Sequence, residues 1–259
     1  MIFLRLSALL LLFLGIQYCT SLLATLWLTT DQWMAGEAIN YLILTQHPDV
    51  MGISLIAGNA VLIGFLWLLK WIPRHVSLPQ TPSLRVVGIA LITTLATVLA
   101  VNMLIEWSGL TDQNEQTFRM LTGSLPCMLA ITLTGPLTEE LVFRQAFISP
   151  LVQRGWRPMV AVLFSALIFG LAHLNPAQTA AATLIGLLFG FLYIRQGLWL
   201  AVLCHVFNNT LGFFTLSATQ ANDQPQLTQT LGTAGSIVFF IACGVIAYRG
   251  IVRLNRQET

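Results

Sequence analysis

Two adjacent carboxylates, a guanidinium and two imidazoles stand in stretches of this 259-residue chain that are otherwise apolar. The first group is Thr134-Gly135-Pro136-Leu137-Thr138-Glu139-Glu140-Leu141-Val142-Phe143-Arg144. The second is Phe169-Gly170-Leu171-Ala172-His173 and the third His205-Val206-Phe207-Asn208-Asn209. A carboxylate and an imidazole can together hold and deprotonate a water. An ionisable residue at membrane depth costs at least about 2.5–3.5 kcal/mol on insertion scales, so its presence asks for a function. A plainer reading stands beside this one. Gly135-Pro136 can break the helix, with proline at the first position of a new one. Glu139 and Glu140 would then be first-turn acids favoured by the helix dipole, and Arg144 would pair with Glu140 four residues earlier. His205 and Asn209 share a helix face. A lone histidine there is usually an interhelical hydrogen-bonding residue, but two of the chain's four histidines beside a diacid weigh against that. If 137–153 and 158–174 form an antiparallel hairpin about Arg154–Pro158, Glu139 lies level with His173 and Arg144 near Ile168. His205, counted from the Gln196-Gly197 turn, falls at a different depth.

The elements that must carry these residues follow from composition. The chain is 56% hydrophobic and 8% charged, with a mean hydropathy of +0.78, whereas a soluble domain carries about a quarter charged residues. It is therefore an integral membrane protein. A net charge of +2 with one lysine, Lys70, offers no basic stripe for a polyphosphate backbone, which excludes nucleic acid as a partner. Cys19, Cys127, Cys204 and Cys243 lack C-x-x-C spacing and read as small buried apolar residues. Spanning the hydrocarbon takes about 20 apolar residues as helix. Runs at 4–28, 50–71, 84–106, 118–137, 158–174, 178–194, 197–218 and 232–250 predict an all-α polytopic membrane helix bundle of about eight transmembrane helices. The first run is too long for a signal-peptide core and is expected to be a membrane helix. With the N- and C-termini cytoplasmic, every Lys and Arg except Arg119 falls on the cytoplasmic side, as the positive-inside rule requires. No hydrophilic stretch is long enough to fold separately, so residues 1–259 are expected to form a single integral membrane domain, with a motif-bearing core at approximately 118–218.

In this order, on successive membrane helices, the three groups resemble the CPBP family of intramembrane proteases, named for type II CAAX prenyl proteases and bacteriocin-processing or immunity proteins. Its pattern of E-E-x-x-x-R, F-x-x-x-H and H-x-x-x-N is met by Glu139-Glu140-x-x-x-Arg144, Phe169-x-x-x-His173 and His205-x-x-x-Asn209, over roughly Leu133 to Asn209. The resemblance implies hydrolysis of peptide bonds in membrane-associated protein or peptide substrates. The catalytic residues it implies are Glu139, Glu140, His173, His205 and Asn209, with Arg144 and Phe169 in support. Glu139 would be the general base and His173 would help position the water. His205 and Asn209 would donate to the oxyanion, Arg144 would hold Glu140, and Phe169 would pack beneath His173. A metal reading uses the same side chains: zinc or another divalent ion on Glu139, His173 and His205, with water in the fourth position. The chain lacks H-E-x-x-H, and the metal-free reading is preferred. Two rivals use the same residues differently. One is a transporter or proton-coupled permease with a Glu/His path near a broken helix; the other is a noncatalytic immunity protein. The expected partners are a membrane protein or peptide substrate and the lipid bilayer, and the expected location is a bacterial inner membrane. The sequence carries no signal for an oligomeric state.

Overall fold

Long apolar stretches in lipid leave a backbone few hydrogen-bonding partners besides itself. The computed structural model describes residues 2–37, 43–72, 82–219 and 227–256, and among them there is no strand. The principal helices are α1 (Ile2–Leu28), α2 (Pro48–Leu68), α3 (Leu84–Ser108), α4 (Glu115–Leu121), α5 (Leu125–Gln153), α6 (Pro158–Leu171), α7 (Pro176–Gln196), α8 (Leu198–Thr219) and α9 (Leu227–Asn255). Short helices at Thr30–Met34 and Ile43–Gln46 lie between α1 and α2. Their boundaries have local causes. Ser83, Ser124 and Asn175 each accept a backbone N–H three residues on, at the starts of α3, α5 and α7, as N-cap residues do. Gly109, at φ 69°, ends α3 in the left-handed conformation.

Among the described residues, six helices (α1, α2, α3, α7, α8 and α9) are long and apolar enough to cross a bilayer. The pair α4 and α5, bent by 118°, makes a seventh if taken as one span, while α6 is apolar but has 14 residues. The eight expected spans thus become six or seven. The run at 118–137 is not one straight span: the chain turns sharply at 122–124 and a new helix continues to Gln153.

The expected break at Gly135-Pro136 does not occur. Proline inside a helix removes an N–H and clashes with the carbonyl four residues back. Here α5 widens into a π-helical turn over Ala130–Thr134, immediately before the proline, and Gly135 N–H reaches back to Ala130 O. The wider turn admits the ring without ending the helix. A second π-helical stretch, Leu141–Ile148, follows. Glu139 and Glu140 are therefore mid-helix residues, and the first-turn dipole argument does not apply to them.

The hairpin of α5 and α6 forms as expected, with Gly155 at φ 86° in the turn. On its other face α6 packs closely on α7, where Gly170 abuts Thr183 and Gly190 abuts Val162; small residues let the backbones approach. One apolar cluster joins Leu6 and Leu9 of α1, Leu62 and Leu66 of α2, and Phe143 and Phe147 of α5. Another joins Ala90 of α3, Phe189 of α7, Leu200 of α8 and Leu254 of α9. Each end of the bundle has its own polar and aromatic contacts. At one end Arg5 lies over Trp71 at 5.4 Å and Phe3 meets Trp156 at 6.2 Å. At the other, Ser124 donates to Asp49 and Asn175 to Asp112. Arg74 and Asp223, used in the charge count, lie outside the described residues.

Candidate active site

The site begins from a buried ion pair. Arg144 and Glu140 are both fully buried and meet at 3.1 Å between Nε and Oε2. The guanidinium also donates to Ser165 Oγ at 3.5 Å and to Gly186 O at 3.4 Å, and lies 5.0 Å from the centre of the Phe169 ring. Ser165 in turn donates to Phe143 O at 2.7 Å. Arg144 therefore ties α5 to α6 and α7, about one turn from the expected Ile168. A charge this deep is tolerable when paired and hydrogen-bonded.

Glu140 turns its other oxygen to His205, with Oε1 2.9 Å from Nδ1. A carboxylate only accepts, so Nδ1 carries the proton. The far nitrogen, Nε2, lies 3.4 Å from Glu139 Oε2. His205 itself is 3% exposed, whereas the Glu139 side chain is 24% exposed. The series Arg144, Glu140, His205, Glu139 thus runs from the buried interior to one carboxylate that water can reach. His205, expected at a different depth, is the histidine that meets both acids. The π-helical stretch between the hairpin turn and Glu139 shortens the rise per residue, so counting at an α-helical rise overstates the depth of Glu139.

Phe169 is the apolar hub. Its ring contacts His173 edge-on at 5.0 Å and His205 at 5.8 Å, while Phe189 stacks on His205 at 4.7 Å. The two apolar clusters meet here. His173 lies just past the end of α6, in a turn, instead of on a membrane helix as expected. Its Nδ1 is 2.9 Å from Phe169 O; a carbonyl only accepts, so Nδ1 donates and Nε2 is left as an acceptor. The next residue, Leu174, sits at φ 53°, a sparsely populated conformation for a leucine. Asn175 then caps α7 as its Asn-Pro sequence suggests.

Asn209, on α8, donates to Ile131 O at 3.0 Å and accepts from Asn208 at 2.9 Å. A cavity of about 560 Å³ opens beside these residues, with His173, Asn208, Asn209 and Asp112 on a polar wall and Leu95, Val98 and Ile185 among its apolar lining. Asp112 went unnoticed in the sequence, where it reads as one more loop acid. It accepts from Asn175 at 2.7 Å and Gln178 at 2.9 Å, pinning the turn that holds His173. A second missed group is the chain from Gln17 to Asn59 at 2.7 Å and from Asn59 to Thr134 at 3.0 Å, which joins α1 and α2 to the π turn of α5. Amides inside predicted spans are the signal that would have found it.

A zinc ion on Glu139, His173 and His205 does not fit this arrangement. His205 Nδ1 is committed to Glu140, so Glu139 and His205 Nε2 supply two ligands, and no three metal-binding side chains converge among the described residues.

Residues 121–211 match the family model of Rce1-like type II CAAX prenyl endopeptidases, a segment that contains all three motifs. Over that segment the chain is similar to the family that its motifs resemble. Among the relatives of this chain is a Bacillus subtilis protein named "Putative membrane peptidase YdiL", 29% identical over 39% of this chain and 42% of that protein. "Probable CAAX prenyl protease 2" of Schizosaccharomyces pombe is 27% identical over 44% of this chain and 50% of its own length. "CAAX prenyl protease 2" of Arabidopsis thaliana is 34% identical over 33% and 34%. The chain thus spans half or less of the length of these relatives. No solved structure gives a significant match.

Proposed function

We propose that this protein is an intramembrane endopeptidase that hydrolyses peptide bonds of membrane-associated proteins or peptides with a water activated by Glu139. The observation that carries the reading is the buried series from Arg144 through Glu140 and His205, which leaves Glu139 as the one partly exposed acid. Glu139 takes a proton from the water while His173 Nε2 accepts the water's other hydrogen. The hydroxide adds to the substrate carbonyl carbon. The resulting oxyanion is stabilised by Asn209 and by His205, whose Nε2 takes the water's proton from Glu139 across their 3.4 Å contact and gives it back before the C–N bond breaks. Glu139 returns its proton to the amide nitrogen as the C–N bond breaks. Glu140 and Arg144 hold His205 in orientation. Apolar substrate side chains occupy the Leu95, Val98 and Ile185 side of the cavity, while His173, Asn208 and Asn209 face the scissile peptide.

Residues 1–259 act in this reading as one integral domain with both termini cytoplasmic, on the strength of the distribution of Lys and Arg. A bacterial inner membrane is the location proposed, and the Bacillus subtilis relative, named as a membrane peptidase, supports the bacterial membrane part of it. The test compares protein N-termini in membranes holding the wild-type protein with those holding Glu139→Ala. New termini that appear with the wild type alone support the peptidase; identical termini, together with solute flux in liposomes that Glu139→Gln abolishes, overturn it in favour of a permease.

A further inference from the structure

We propose that Pro136 is a positioning residue for Asn209: by lacking an N–H it leaves the Ile131 carbonyl for the Asn209 amide, which is thereby fixed at the cavity wall. This rests on the peptidase reading for its catalytic consequence, but the pairing can be tested without it. In the π-helical turn of α5, Gly135 N–H bonds Ala130 O, five residues back. The next bond in that pattern would run from residue 136 to Ile131 O, and proline cannot make it. A helix carbonyl left without a donor inside a membrane bundle is costly, so native folds fill such gaps. Here Asn209 Nδ2 fills it from α8 at 3.0 Å.

Because a carbonyl only accepts, this bond fixes which way the Asn209 amide faces. Its oxygen takes the Asn208 Nδ2 hydrogen at 2.9 Å. One Nδ2 hydrogen is then committed to Ile131 O, and the second has no acceptor among the described residues. Ile131, Asn208 and Asn209 all line the cavity. The proline that reads as a helix breaker in the sequence serves instead to expose one carbonyl, and that carbonyl orients the hydrogen-bond donor offered to the oxyanion.

Two double-mutant cycles on the full-length protein in detergent test this. In the stability cycle, Asn209→Ala lowers the midpoint of thermal unfolding by about 2–4 °C when residue 136 is proline. In the Pro136→Ala background the new N–H serves Ile131 O, and most of that loss disappears. In the cleavage cycle, Asn209→Ala lowers kcat by about 100-fold. Pro136→Ala alone lowers kcat by roughly 10-fold with KM little changed, and adds no further loss on top of Asn209→Ala. If Pro136→Ala instead acts by shifting Glu139, its loss persists in the Asn209→Ala background and the positioning claim fails. A Pro136→Ala enzyme with wild-type kcat also overturns it, as does full additivity in the stability cycle. A protein that cleaves nothing while the stability coupling is intact sinks the peptidase reading and retains the Pro136–Asn209 pairing.

Discussion

Glu140 and Arg144, four residues apart and both fully buried, meet at 3.1 Å. Removing one member of such a pair leaves the other charge without compensation, at a cost of about 3–5 kcal/mol. Glu140→Gln and Arg144→Met are each expected to lower the unfolding midpoint in detergent steeply, and the Glu140→Leu/Arg144→Met double variant to unfold later than either. A double variant less stable than both singles would show that the pair is not the element that matters. Activity is lost in the double variant, where His205 loses the acceptor at Nδ1, and falls in each single variant, where the group that orients His205 is no longer held by its partner.

Glu139 is expected to behave differently because its side chain reaches water and makes no arginine ion pair among the described residues. Glu139→Gln should leave the unfolding midpoint within about 1 °C of wild type while reducing kcat by about 10²–10⁴-fold. The assay is cleavage of a membrane peptide by purified protein. Substantial residual activity in Glu139→Gln would move the base to another residue, with His173 Nε2 next in line.

The membrane class, the helical fold and the residues of the candidate site were legible because charge is scarce: carboxylates and an arginine in an apolar run have few explanations. The pairing of Glu140 with Arg144 was legible from their spacing. The course of α5 was not. Gly135-Pro136 signals a break in local terms, and what overrides it is a π turn whose freed Ile131 carbonyl finds Asn209 from a helix more than seventy residues on. The partner of Glu139 was also hidden, since residue counts along two hairpins do not say how α8 sits against α5, and the second π stretch accounts for only part of the difference in depth. Asp112 could not be found from the sequence, because nothing local distinguishes an acid that binds Asn175 from one facing solvent.

Metal removal offers a direct check on the ligand geometry. With His205 Nδ1 on Glu140, the residues around Glu139 present two ligands where a catalytic zinc takes three. Cleavage by the purified protein is expected to survive dialysis against a strong zinc chelator. Loss of activity on dialysis, restored by zinc at stoichiometric amounts, would mean that His205 and His173 turn to a shared ion in the working enzyme.

The Asp112 contacts make the His173 turn a test of positioning at a distance. Asp112 Oδ1 accepts from Asn175, which is 2% exposed, and Oδ2 accepts from Gln178. Asp112→Ala leaves the buried Asn175 amide short of a partner and frees a turn in which Leu174 holds a positive φ. His173, two residues before Asn175, then loses its fixed place. A displacement on the order of 1 Å at a reacting group can cost roughly 100-fold in rate, so Asp112→Ala is expected to reduce kcat by about 10- to 100-fold. Asp112→Asn keeps an oxygen for Asn175, and Gln178 can flip to present its own oxygen to the new amide. It should therefore recover most of the rate. Wild-type turnover in Asp112→Ala, or an asparagine variant as slow as the alanine one, would show that the turn is held by α7 alone.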